Sequence, residues 1–181
     1  MTRRLFAAAA AVLVTLTGTL FAGGQFPLTG KNTTISFVGT KPGGKHDGGF
    51  KELTGTATVE GTDPTTLKVS LEIDMNSLYS DTPKLTNHLK SPDFFGIKSN
   101  PKTKFVSTKV EKSAAGYQVT GDLTMCGQTK AVTFPATITV SGDTLTLASK
   151  FKIDRTQWGM TYGRGKVHDE VSLSVSVKAT K

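Results

Sequence analysis

Few residues in this chain have chemistry beyond packing, and they are scattered. His46, His88 and His168 are its three histidines, each with an aspartate within five residues. No His-x-x-x-His spacing brings two ligands onto one local face, so no metal site is expected. Cys126 is the single cysteine, so no intramolecular disulfide can form. Without a neighbouring histidine or a second thiol, it reads as a turn residue rather than a redox group. Asp154-Arg155 is more suggestive, because a buried guanidinium is a fixed fork of donors that can hold an anionic or carbonyl oxygen. The competing role is a structural pairing with Asp122, Asp154 or Glu170 at a strand end. Arg164, flanked by Gly163 and Gly165, reads as a solvated loop residue. The pairs Gly43-Gly44 and Gly48-Gly49 lack the helix and Lys-Ser/Thr of a phosphate cradle, so residues 41–49 are expected to form a flexible connection. With no Gly-x-Ser-x-Gly elbow and no local Cys-His logic, the chain is not expected to be an enzyme.

The formal charge is +8 over 181 residues, of which Arg3 and Arg4 carry two. Beyond those, only Arg155 and Arg164 are arginines, and no basic run interleaves with aromatics. Guanidinium forks are the usual tools of phosphate and base recognition, so nucleic acid is not an expected partner. Arg3-Arg4 followed by the apolar stretch 5–22 has the layout of an export signal. Residues 1–23 are therefore expected to be a signal peptide and 24–181 a single domain, periplasmic or secreted. Leu20 and Phe21 make a poor cleavage site, and an apolar stretch of this length can span a bilayer, so a tethered, uncut form is the alternative.

The elements that must position these side chains announce themselves by a period of two. Leu67-Val69-Leu71-Ile73, Tyr117-Val119-Leu123-Met125 and Val171-Leu173-Val175-Val177 place apolar residues on odd numbers with polar ones between. Such alternation predicts strands with one buried and one wet face. Runs at 34–38, 50–59, 67–73, 105–106, 117–125, 131–140, 145–153 and 171–177 give about eight strands with short turns, hence an antiparallel barrel, with a two-sheet sandwich as its rival. A lipid-facing barrel is disfavoured by runs of about five to nine residues and by missing aromatic girdles. Asp81-Thr82-Pro83 starts a short helix whose Leu85 and Leu89 form an apolar face, reading as a lid or plug.

Several motifs together resemble one family. The stretch Gly121-Asp122-Leu123-Thr124-Met125-Cys126-Gly127-Gln128-Thr129-Lys130-Ala131-Val132-Thr133-Phe134 is similar to the signature hairpin of the YceI-like exported polyisoprenoid-binding proteins. His88-Leu89-Lys90-Ser91-Pro92-Asp93-Phe94-Phe95, Pro101 with Phe105-Val106-Ser107-Thr108, Ile153-Asp154-Arg155 with Trp158-Gly159-Met160, and Val167-His168-Asp169-Glu170-Val171 follow the same family order. The resemblance covers essentially the whole of 24–181. It implies an all-β, lipocalin-like antiparallel eight-stranded β-barrel with a short helical insertion and a tunnel for an isoprenoid tail. The segment from Gly39 to Phe50 departs from the family pattern, so the head-group preference does not carry over.

The expected function is thus binding, transport or storage of a long-chain isoprenoid lipid of quinone or polyprenyl phosphate type, with transient membrane contact and no cofactor other than the lipid. Expected tunnel-lining residues are Phe37, Leu71, Met125, Phe134, Ile138, Phe151, Ile153 and Trp158, for each of which plain core packing competes. Arg155 and His88 are the head-group candidates. The alternatives are a ligand-free exported interaction or structural barrel, and a metal protein or enzyme using the histidines.

Overall fold

The structure is a computed structural model that describes residues 24–181; the expected signal at 1–23 lies outside the described residues. Eleven strands form: β1 Gly24–Thr29, β2 Thr33–Lys41, β3 Gly44–Phe50, β4 Leu53–Val59, β5 Lys68–Asp74, β6 Leu78–Ser80, β7 Lys102–Ser113, β8 Gly116–Met125, β9 Gln128–Ser141, β10 Thr144–Asp154 and β11 Glu170–Thr180. Among the described residues one α-helix, α1 (Pro83–Lys90), stands between β6 and β7. Every strand pairing is antiparallel, in the order β1-β4-β5-β7-β8-β9-β10-β11-β2-β3-β6.

The eleven segments are eight barrel strands, three of them kinked. β3 runs on into β4, and β5 into β6 through a 3-10 turn at Met75–Ser77. Across this joint the ladder is bridged by Lys51 N–H donating to Ser77 O at 3.4 Å and Asp74 N–H donating to Glu52 O at 3.0 Å. β1 and β2 likewise lie end to end along the β3–β4 strand, broken at residues 30–32. Because β2 pairs with both β11 and β3, the ring closes and leaves no long free edge.

The alternation is kept inside this ring. Odd-numbered residues of β5, β8 and β11 face inward, and the outer faces carry Lys, Thr and Ser. Several strands are longer than the sequence runs suggest, 14 residues in β9 and 12 in β7. Length therefore does not argue against a lipid-facing barrel. The polarity of the faces does: a membrane barrel needs an apolar outer belt, and the exposed large hydrophobic residues among those described are only Tyr79, Val106 and Tyr162.

Two segments differ from the expectation. Residues 44–50 are strand β3 rather than a flexible connection. Gly48 pairs across from Phe37, and an added Cβ would lie 2.3 Å from the Phe37 Cζ and 2.6 Å from Tyr79 O. The glycine is there for close approach within a strand, not for a turn. β1 has no counterpart among the expected strands, although Phe26 and Leu28 alternate inward. Pro27 masks it, tolerated because β1 pairs only with β4.

Side chains from β1 and β11 fill one end of the barrel with their neighbours. Phe26, Val59 and Ala179 are buried there with Leu67, Val110 and Leu145. The opposite end carries α1, residues 91–101 and the connection between β10 and β11. A smaller core of Met125, Trp158 and Met160 packs beneath them.

Candidate functional site: an apolar cavity with a polar mouth

Between the filled base and α1 the interior encloses a cavity of about 350 Å³. All eight barrel strands contribute to its wall. Leu71 and Ile73 come from β5, Phe105 from β7, Leu123 and Met125 from β8, Phe134 from β9, Phe151 and Ile153 from β10, and Leu173 and Val175 from β11. The Phe134 and Phe151 rings stack with centroids 4.4 Å apart and planes at 11°, and Phe105 tilts onto Phe134 at 5.7 Å. These rings make a continuous apolar wall across β7, β9 and β10.

Of the eight residues expected to line a tunnel, Phe37, Leu71, Met125, Phe134, Phe151 and Ile153 line the cavity. Ile138 and Trp158 do not. Ile138 is on the inward register but belongs to the buried core toward the base. Trp158 stands in the 3-10 turn Arg155–Trp158, where its Nε1–H donates to Leu123 O at 3.0 Å. It backs the wall from behind Met125 and Met160 instead of facing the space.

The mouth is built on α1. Thr82 caps the helix by accepting from Leu85 N–H at 3.2 Å, and Pro83 occupies its first turn. Leu85, His88 and Leu89 then fall on the side that lines the cavity. His88 Nε2 lies 2.9 Å from Asp93 Oδ2, and its ring meets Phe94 and Tyr162 edge-on at 5.1 and 4.8 Å. His88 thus ties the helix to both neighbouring loops.

All three histidines line this mouth, although they are far apart in sequence. Each has its own partner: Asp81 for His46 at 2.9 Å, Asp93 for His88, and the Thr40 hydroxyl for His168 at 2.7 Å. No group of three potential metal ligands comes together among the described residues.

Arg155 also borders the cavity and is 3% exposed. Its Nε–H donates to His168 O at 3.2 Å, Nη1 donates to Met160 O at 2.6 Å and Tyr162 O at 2.9 Å, and Nη2 donates to Val167 O at 3.3 Å and Asp169 Oδ1 at 3.2 Å. A guanidinium has five N–H donors, and all five are engaged. Its carboxylate partner is Asp169, not Asp122, Asp154 or Glu170. Asp154 instead caps the following turn through Thr156, whose hydroxyl and N–H hold its carboxyl below the usual carboxylate range. Glu170 pairs with Lys152 at 3.1 Å.

Cys126 is the turn residue expected, in the left-handed region at φ 51° beside Gly127. Its Sγ lies 3.7 Å from Phe94 O and 3.8 Å from Phe95 O, and burial pushes the thiol up to about 11. The thiol joins the β8–β9 turn to the mouth loop, and its raised pKa keeps the thiolate scarce at neutral pH.

The sequence reading left out Phe50, Phe105, Tyr162 and the wrap of residues 155–169 around Arg155. Phe105 lay in a recognised run on the inward parity. Tyr162 and the wrap sit in a Gly-rich loop with no periodicity to read.

Comparison with known proteins gives this architecture a family. The YceI-like domain profile matches residues 26–179. A protein designated UPF0312 from Serratia proteamaculans is 31% identical over 140 residues, covering 74% of this chain and 73% of that protein. Protein YceI of Salmonella arizonae is also 31% identical, with the same coverage. Among solved structures, Burkholderia cenocepacia BcnA superposes with a TM-score of 0.73 at 26% identity, covering 82% of this chain and 96% of that one. A polyisoprenoid binding domain from Saccharophagus degradans shares the fold, with a TM-score of 0.67 at 12% identity over 87% of this chain and 98% of that domain. With its profile matched almost from end to end of the barrel, this chain belongs to the YceI-like family.

Proposed function

We propose that the barrel binds a long-chain isoprenoid lipid by its tail and carries or stores it outside the cytoplasm, without changing it chemically. The observation that carries this reading is the apolar cavity, walled by all eight strands and bordered at one end by the polar mouth. A prenyl tail has no hydrogen bonds to give, so its binding free energy comes from leaving water. A site for it needs apolar depth and few polar contacts, as this interior has. Family membership and the polyisoprenoid-binding neighbour support the same ligand class. A ligand-free interaction module would more naturally have a solid interior.

The volume stands near the lower end of the roughly 300–1,000 Å³ range of small-molecule sites. Longer tails fill it and extend past α1. Loading then requires the mouth to approach a bilayer transiently, with the exported chain free or held by its uncut leader. The test is displacement of a cavity-bound apolar fluorophore by polyprenols. Displacement that is lost in Phe151→Lys is expected, and no displacement by any prenyl lipid would refute the proposal.

A further inference from the structure

The mouth carries one side chain that the fold does not use. Lys41 ends β2 on the inward register, in line with Phe37 and Gly39, and lines the cavity. Among the described residues it makes no ion pair, whereas Lys45, on the outer face of the same hairpin, pairs with Asp47 at 3.2 Å. The partner position across the ladder is Gly44, where an added Cβ would come 3.2 Å from Lys41 Cε. A glycine at that position leaves the lysine stem room to lie along the inner rim.

Beside it on the same face, His46 uses Nδ1 for Asp81, and its Nε2 makes no hydrogen bond among the described residues. Among the described residues no carboxylate lines the cavity; Asp81, Asp93 and Asp169 are engaged by His46, His88 and Arg155. Because the Arg155 donors are all engaged, Lys41 is, among the described residues that line the cavity, the lysine or arginine left with free donors.

We propose that Lys41, with His46 beside it, is a head-group subsite selecting an anionic lipid head of phosphate type over a neutral alcohol or quinone. The inference rests on the tail-binding reading above and names the ligand class within it. A lysine acts on phosphate as a point charge. At the open end of an apolar cavity, it rewards a head that keeps its charge at the rim while the tail goes in.

The experiment pairs two lipids with one tail, undecaprenyl phosphate and undecaprenol, binding to the full chain, to Lys41→Gln and to Lys45→Gln. The wild-type chain is expected to bind the phosphate at least several-fold more tightly than the alcohol. Lys41→Gln should erase that preference by weakening phosphate binding to the level of the alcohol, and Lys45→Gln should retain it. Inorganic phosphate at matched concentration should compete weakly, because it brings no tail. Equal affinities in the wild type, or a preference surviving Lys41→Gln, would overturn the subsite and leave tail binding standing. If neither lipid binds, both readings fall.

Discussion

The Arg155 guanidinium meets the Asp169 carboxylate at 3.2 Å, and that contact completes a ring of four backbone carbonyls and one acid around the cation. The two residues hold the β10–β11 connection in its wrapped form over the cavity mouth. Phe94, with its ring centroid 5.9 Å from the guanidinium carbon, extends the hold to the neighbouring loop.

Removing the cation strands four backbone carbonyls and leaves Asp169 only its 3.4 Å contact with Arg164. Arg155→Ala is expected to cost more than about 3 kcal/mol of folding stability. Arg155→Lys should rescue little, since an ammonium cannot reproduce the five-donor fork. Denaturant unfolding with limited proteolysis of residues 155–169 checks this. A variant of native stability that loses only lipid affinity would make Arg155 a ligand residue instead.

Register gives a second prediction. Leu123 lines the cavity, while Thr124, its neighbour on β8, faces out and bonds the Thr129 hydroxyl at 2.8 Å. Leu123→Lys buries a charge and should destabilise the barrel or abolish binding of an apolar fluorophore. Thr124→Lys should stay within about 0.5 kcal/mol of wild type. Thermal melts that move equally for the two would contradict the register.

Tail length gives a third. At roughly 0.3 kcal/mol per heavy atom, each five-carbon prenyl unit should add about 1.5 kcal/mol, or roughly tenfold in affinity, while the cavity is filling. A plateau should follow once about 350 Å³ is occupied. Titration with a series of polyprenols reads this out; affinity independent of length from the shortest member onward would oppose tail burial.

The thiol of Cys126 gives a fourth. With its pKa near 11, the folded thiol should react with an alkylating reagent at pH 8 on the order of a hundredfold more slowly than in the urea-unfolded chain. The folded state keeps this proton to higher pH than the unfolded state. Its contribution to stability is therefore constant below the ordinary thiol range and falls as pH rises through it toward about 11. Equal alkylation rates in the two states would mean the thiol is not held against Phe94 and Phe95.

The inner wall was legible because it obeys a period. Phe37, Leu71, Met125, Phe134, Phe151 and Ile153 sit on strands whose parity sets their face, and parity survives without any structure. Ile138 shares that parity, but depth along the barrel decides between cavity and core, and alternation carries no depth. Gly48 misled because a glycine pair signals both turns and close approaches; only the ring of Phe37 opposite distinguishes them. The Asp169 partner of Arg155 is fourteen residues away across an irregular loop, beyond the reach of any spacing rule.

Native mass spectrometry of the detergent-free chain after incubation with polyprenyl-lipid vesicles tests tail binding most directly. A one-to-one adduct of isoprenoid mass, absent in Phe151→Lys, is the expected result. A bare protein mass in wild type, with a folded charge-state distribution and lipid in excess, would contradict it.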